Sequence, residues 1–127
     1  RRIYPRYLGP LTGVIEYPLP PAFFRIKERI ARRFSPHPAK PFVVIELQGE
    51  PWETQFLGSL PADKLVQDFS PAYFRDTIEY AKTTGFEDYY WWGAEWWYWM
   101  KERHGIPAYW EIAQELMHGD ETVLPRH

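Results

Sequence analysis

The chain alternates short apolar runs with longer segments whose apolar residues recur at helical spacing. Residues 42–45 are apolar and partly β-branched, which is typical of a strand buried on both faces of a parallel sheet. Residues 86–92 predict a second such strand, although Glu87 and Asp88 interrupt its start. Residues 1–7 predict the end of an earlier strand that runs into a loop.

Three segments predict helices. Pro21 opens the first helix in the favoured first-turn position, and an apolar stripe at helical spacing extends it to a pair of prolines that stop it. Ser70 and Pro71 open the second helix as N-cap and first-turn proline, and Gly85 ends it. Residues 109–118 predict the last helix.

The segments between these elements are rich in Gly, Pro or aromatic residues and are predicted as loops: residues 8–21, 47–69 and 93–107. A short turn of helix is expected within 62–67 and a further helix within 95–103. The order of strand, loop and helix recurs about three times, which predicts an α/β fold with parallel strands. A closed (β/α)₈ barrel needs eight such units and typically about 250 residues. We therefore expect residues 1–127 to form a fragment of one barrel domain.

The amino-acid composition favours some classes of protein and excludes some kinds of site. Aromatic residues make up 19% of the chain, with 7 Trp and 13 Pro, which favours long, shaped loops around a stacking surface over a helical bundle. The net charge of −2 provides no cationic field for nucleic acid. Without Cys, disulfides and thiolate metal sites are excluded. No apolar run approaches the roughly 18 residues of a membrane span. The His residues lack metal-ligand spacing and phosphate-loop motifs are absent, so we expect no metal and no cofactor.

Glu46 is the first candidate for chemistry, because it directly follows the apolar run 42–45. A carboxylate at the end of a parallel strand would lie at the mouth of a barrel, where active sites form. Retaining glycosidases need two carboxyl groups about 5–5.5 Å apart, one of them a nucleophile. The alternative is a Glu that caps or pairs at a strand end, and position alone does not separate the two interpretations.

The loop after Glu46 supplies further candidates for substrate contact. Gln48 and Glu50 offer polar groups to sugar hydroxyls, and a solvated loop side chain is the competing interpretation for Glu50. Trp52, beside Pro51, is a candidate sugar platform or lid. Tyr4 follows the first predicted strand and is a candidate to point into the same barrel mouth and contact substrate. A packing role for Tyr4 is equally expected.

The most aromatic segment, residues 89–99, holds five of the Trp residues. Sugars stack their C–H faces on aromatic rings, and indole also offers an N–H to a hydroxyl. The candidates for substrate contact in this segment are Trp91, Trp92, Glu95 and Trp96. Side chains alternate along a strand, so one of Trp91 and Trp92 is expected to face the pocket, while Trp97 or Trp99 is expected to be structural.

Two of these segments resemble a known family. Residues 41–52, PFVVIELQGEPW, are similar to the seventh-strand segment of clan A retaining glycoside hydrolases, and residues 85–99, GFEDYYWWGAEWWYW, are similar to the eighth strand and its loop. The resemblance implies the C-terminal part of a TIM (β/α)₈ barrel, from the sixth to the eighth strand. It implies a cellulase-like enzyme for a β-linked oligo- or polysaccharide, with Glu46 as nucleophile and Trp91 or Trp92 under the sugar.

The resemblance also leaves one part of the chemistry unassigned. The family carries its acid/base Glu on the fourth strand, which has no match in this chain, so the 127 residues alone are expected to be inactive and to fold poorly. Three other functions are compatible with the aromatics: a carbohydrate-binding module, a barrel that has lost catalysis, and an interaction or structural domain whose aromatics form its core. The predicted helices argue against the β-sandwich that is usual for binding modules.

Overall fold

The computed structural model describes residues 2–3, 15–16, 19–53 and 55–120. Their strands are β1 (Arg2–Ile3), β2 (Ile15–Glu16), β3 (Val43–Gln48) and β4 (Asp88–Trp92). Their α-helices are α1 (Pro21–Phe34), α2 (Ala62–Asp68), α3 (Pro71–Thr84), α4 (Ala94–His104) and α5 (Ala108–Asp120), with a 3-10 turn at Leu57–Ser59. The mixed α/β class predicted from the sequence is confirmed.

The strands β3 and β4 pair in parallel, as the sequence predicted for the runs 42–45 and 86–92. Helix α3 lies between them in the chain and packs on one side of the sheet. On that side the Tyr89 hydroxyl donates to the Ala81 carbonyl at 2.8 Å, and the Trp91 ring meets Phe74 edge-to-face at 5.3 Å. The alternate side chains of β4 therefore point away from the helices.

The pairing of β3 with β4 contains a bulge at the candidate nucleophile. Val44 is opposite Tyr89 and Leu47 is opposite Trp91, so Ile45 and Glu46 together stand opposite a single residue. A bulge bends a strand locally and redirects its side chains, and bulges are frequent next to active sites. Glu46 therefore lies inside β3, which continues to Gln48, and the prediction that it follows the strand was wrong.

The first predicted strand has a different partner from the one expected. Arg2–Ile3 pairs antiparallel with Ile15–Glu16, and these two short strands form a sheet separate from β3 and β4 in the described part of the chain. The sequence prediction had assigned Ile15–Glu16 to a loop. A two-residue strand is too short to carry an alternating apolar pattern, so its existence depends on the backbone hydrogen bonds of the pair rather than on periodicity.

The predicted helices α1, α3 and α5 are confirmed, and the helical turn expected at 62–67 is α2. Helix α3 has the predicted cap, since the Ser70 hydroxyl accepts from the Tyr73 amide at 3.1 Å and Gly85 ends the helix at a φ of 77°. The aromatic segment 93–107 was predicted as a loop with a helix expected within 95–103, and that helix is confirmed as α4, one residue longer at each end. Burial of its aromatic residues outweighs their modest helix propensity.

The core lies between helices α2 to α5 more than within the sheet. Its largest fully buried side chains include Phe69, Phe74, Trp97 and Tyr109. The Tyr109 hydroxyl donates to the Phe69 carbonyl at 2.5 Å, and burial raises the pKa of that phenol far above its ordinary value. This bond ties α5 to the C-terminal end of α2. No helix in the described ranges is long and apolar enough to cross a membrane.

Replacing Tyr109 with Phe should lower the free energy of unfolding by about 1–3 kcal/mol, because the buried Phe69 carbonyl loses its donor. Urea denaturation of the two proteins measures the difference. Tyr98→Phe is the matched control, since Tyr98 is exposed and should change stability by less than about 0.5 kcal/mol. Equal effects of the two substitutions would show that the Tyr109 hydroxyl contributes nothing.

Candidate functional site

The C-terminal ends of β3 and β4 are joined through Gly49. Its amide donates to the Trp92 carbonyl at 2.8 Å, and its carbonyl accepts the Trp97 indole N–H at 2.6 Å. A Cβ at this position would lie 2.6 Å from both the Trp92 carbonyl oxygen and the Trp97 ring, a separation that real contacts do not show. Glycine is therefore required here, and the loop after β3 is fixed to the buried core.

Trp92 and Glu50 form the central pair of the site. The Trp92 indole Nε1 donates to Glu50 Oε1 at 2.7 Å, while the ring itself is 55% exposed. Gln48 supports the same loop, since its Nε2 donates to the Glu50 carbonyl oxygen at 2.9 Å. The carboxylate fixes the indole at one edge and leaves its face accessible. An aromatic ring fixed in this way is suited to stacking against a flat apolar surface.

The half-buried position of Glu50 raises its pKa above the ordinary 4.5, because burial disfavours the charged carboxylate. The hydrogen bond from Trp92 opposes this effect, and the negative charge of Glu95 adds to it. Glu50 and Glu95 are therefore close enough for their charges to interact. Both were predicted as substrate contacts, and the structure brings them together.

The two Trp residues of β4 lie on opposite faces of the sheet, in agreement with the alternation expected for a strand. Trp91 is half-buried against Phe74, so it packs on the helical side. Trp92 lies on the other side, together with the exposed side chains of Ile45 and Tyr90. Ile45, Tyr90 and Trp92 form what we call the open face of the sheet.

A pocket of about 400 Å³ lies beside the Trp92–Glu50 pair. We call it the Trp96 pocket; it is lined by Glu50, Gln55, Phe56, Leu57, Gly58, Glu95, Trp96 and Trp99. Trp96 is only 4% exposed, and its indole Nε1 finds no hydrogen-bond acceptor among the described residues. A buried donor without an acceptor costs free energy. The pocket therefore combines the carboxylates of Glu50 and Glu95 with aromatic walls.

Sequence reasoning found only part of this pocket. Trp99 was expected to be a structural residue if Trp97 was not, and it lines the pocket while Trp97 is in the core. Phe56 and Leu57 were not singled out, because they lie in a segment that was predicted as a loop. Helix α4 places Glu95 and Trp99 one turn apart on the same face, and this spacing within the helix expected at 95–103 was the signal that could have identified Trp99.

The remaining candidates lie apart from the pocket. The Glu46 side chain is exposed and does not line the pocket, and its carboxylate makes no hydrogen bond or ion pair with another described residue. The Trp52 ring is about half exposed, and Tyr4 lies outside the described residues. The described side chains contain no group of three His, Cys, Asp or Glu residues that would hold a metal ion.

Comparisons with family models, with curated proteins and with solved structures found no match to this chain.

Substituting Glu50 by Gln should make the stability of the protein less sensitive to pH. The pKa of Glu50 is raised in the folded state, so the folded state binds the proton more tightly than the unfolded chain. Ionisation of Glu50 therefore lowers stability progressively as the pH rises from 4.5 through the raised pKa. Glu50→Gln removes this loss and keeps a carbonyl that accepts the Trp92 N–H. Unfolding in urea across that pH range measures the effect.

Glu95→Gln is the companion variant, because it removes the like charge that contributes to the raised pKa of Glu50. It should shrink the same loss of stability without abolishing it. A Glu50→Gln protein that is less stable than the parent at neutral pH, or whose difference from the parent is the same at all pH values, would contradict this account.

Proposed function

We propose that this chain is part of a (β/α)₈-barrel retaining glycoside hydrolase, with Glu46 as its nucleophile and Trp92 as a platform for the sugar. The observation that carries the proposal is the Trp92 indole, exposed at the C-terminal end of a parallel strand and fixed through its N–H by Glu50 at 2.7 Å. The adjacent strand carries Glu46 on its bulge. Active sites of parallel barrels form at this end of the strands.

In the proposed reaction the Glu46 carboxylate attacks the anomeric carbon while the bond to the leaving oxygen breaks. A carboxylic acid elsewhere in the protein protonates that oxygen, so the alcohol departs and a glycosyl ester on Glu46 remains. The same acid, now a carboxylate, takes a proton from water, which attacks the anomeric carbon and releases Glu46. The lack of a hydrogen-bonded or ionic partner for Glu46 among the described residues leaves its oxygens accessible for this role.

The open face of the sheet supports the barrel part of the proposal. Parallel sheets are almost always covered on both faces, whereas Ile45 is 68% and Tyr90 63% exposed on the side away from α3. In a barrel, that side is the interior, which is filled by side chains from the other strands. Further strands of the same barrel would cover Ile45 and Tyr90 and complete the mouth around Trp92.

One observation favours a second candidate function, carbohydrate binding without catalysis. Glu46 does not line the Trp96 pocket, so the aromatic and polar groups of that pocket do not depend on a nucleophile. A barrel that had lost its acid/base residue would keep the Trp92 platform and the pocket. The interpretation that the aromatics serve as core accounts for Trp97 but not for the exposed rings of Trp52 and Trp92.

The catalytic proposal predicts covalent labelling of Glu46. In the protein expressed from its natural gene, a 2-deoxy-2-fluoro glycoside of the substrate sugar with an activated leaving group should form a stable ester. The fluorine slows both steps, because both have oxocarbenium-like transition states, and the activated leaving group, which departs as its anion, keeps ester formation faster than ester hydrolysis. Peptide mass spectrometry should locate the label on Glu46. Glu46→Gln should lower kcat by roughly a thousandfold or more.

Glu87→Gln is the control for labelling, since Glu87 is an exposed Glu just before β4. The Glu87→Gln protein should still carry the label on Glu46, as the parent protein does. A label on another carboxylate, or turnover that persists in Glu46→Gln, would sink the assignment, whereas saccharide binding with no label and no turnover would favour the binding function.

The barrel proposal predicts the cost of removing an apolar side chain from the open face. In the protein expressed from its natural gene, Ile45→Ala should lower the free energy of unfolding by about 2–5 kcal/mol, because further strands bury this side chain. Ile112→Ala calibrates the measurement, since Ile112 is already buried. If Ile45→Ala lowers the free energy of unfolding by less than about 0.5 kcal/mol while Ile112→Ala lowers it much more, the open face is exposed to solvent in the whole protein.

A further inference from the structure

The Trp96 pocket contains two carboxylates from separate elements and no side chain of opposite charge. Glu50 comes from the loop after β3, and Glu95 comes from the first turn of α4. None of the described residues that line the pocket is Lys, Arg or His. The two negative charges interact, since Glu95 contributes to the raised pKa of Glu50. A positively charged ligand in the pocket would relieve this repulsion.

Both carboxylates keep oxygens that are available to such a ligand. The Trp92 indole Nε1 donates to Glu50 Oε1 at 2.7 Å, and no described residue donates to Glu50 Oε2. Glu95 is exposed, and its carboxylate forms no hydrogen bond or ion pair within the described ranges. Glu102 on the same helix, by contrast, pairs with Lys101 at 3.1 Å. A cation can therefore lie near both pocket carboxylates without breaking an existing bond.

The rest of the lining is largely apolar and aromatic. Phe56, Trp96 and Trp99 contribute aromatic side chains, and Leu57 adds an aliphatic one. The face of an aromatic ring carries negative charge density and attracts a cation, most strongly when the ring is that of Trp. The carboxylates and the aromatic residues therefore favour a ligand of the same positive sign.

The lining also selects among cations. A divalent metal ion takes several oxygen ligands, whereas the described residues include no group of three His, Cys, Asp or Glu that would hold one. A primary ammonium is compact and strongly hydrated, so contact with apolar walls would cost it water. A methylated ammonium presents methyl groups to aromatic faces and keeps its positive charge. The pocket volume of about 400 Å³ suits a small ligand, since small-molecule sites span roughly 300–1,000 Å³.

We propose that the Trp96 pocket binds a small methylated ammonium ion. Its charged nitrogen lies near Glu50 and Glu95, and its methyl groups contact Trp99 and Phe56. This binding activity is separate from the proposed glycosidase reaction and does not require Glu46. Because Glu50 also fixes the Trp92 indole, the bound cation would contact the residue that supports the sugar platform.

The test compares two ligands of the same shape and different charge. Choline and its neutral isostere 3,3-dimethyl-1-butanol are titrated by calorimetry into the protein expressed from its natural gene. The neutral alcohol replaces the ammonium nitrogen by carbon and keeps the methyl groups and the hydroxyl. Choline should bind at least roughly tenfold more tightly, because only choline interacts electrostatically with the carboxylates and the ring faces.

Substitutions of Glu95 place the binding in the pocket. Glu95→Gln removes one of the two charges at an exposed position and should raise the Kd of choline by roughly threefold to tenfold. Glu95→Lys places a competing ammonium at the pocket and should abolish choline binding. Glu102→Gln is the matched control, since it removes the same charge from the same helix outside the pocket. Its Kd should equal that of the parent protein.

A direct readout is the indole N–H resonance of Trp99, assigned by its loss in Trp99→Phe. Because Trp99 lines the pocket, this resonance should shift when choline binds and should stay unchanged with the neutral alcohol at the same concentration.

Several results would overturn the proposal. They are no binding of choline, equal affinity for choline and the neutral alcohol, equal effects of Glu95→Gln and Glu102→Gln, or a Trp99 resonance that choline leaves unmoved. Each of these results is independent of covalent labelling at Glu46. The pocket proposal and the glycosidase proposal can therefore fail separately.

Discussion

Two hydrogen bonds at Gly49 hold the described part of the site together. One joins the Gly49 amide to the Trp92 carbonyl at 2.8 Å, and the other joins the Trp97 indole to the Gly49 carbonyl at 2.6 Å. They connect the ends of β3 and β4 to the core through a residue that has no room for a Cβ. The positions of Trp92 and Glu50 depend on this junction, because Glu50 follows Gly49 in the chain and the Trp92 carbonyl accepts the Gly49 amide.

Helix α4 connects the junction to the pocket. Its buried side chains, Trp97 and Met100, pack into the core, while Glu95 and Trp99 line the Trp96 pocket one turn apart. Trp96 belongs to both the core and the pocket, since its ring packs on Tyr109 at 4.5 Å and the residue also lines the pocket. Rigid packing of one face therefore positions the functional groups of the other, which is the usual way in which a scaffold holds a binding site.

Local signals predicted more of the fold than of the site. Ser70 and Gly85 fixed the ends of α3 through cap chemistry that is readable in the sequence, and the apolar run 42–45 was sufficient for β3. The bulge at Glu46 was not predictable, because register depends on which residues of the partner strand are opposite. The helix expected within 95–103 is α4, but its segment was predicted mainly as a loop because its aromatics have weak helix propensity, which tertiary burial outweighs. Phe56 reaches the pocket through packing between segments distant in the chain.

We propose that β3 and β4 belong to a barrel whose mouth contains Glu46 and Trp92. A crystal structure of the protein expressed from its natural gene tests this most directly. We expect that further parallel strands bury Ile45 and Tyr90, and that a second carboxyl group lies about 5–5.5 Å from that of Glu46. A sheet whose open face remains in solvent, or a Glu46 with no carboxyl group within that reach, would contradict it.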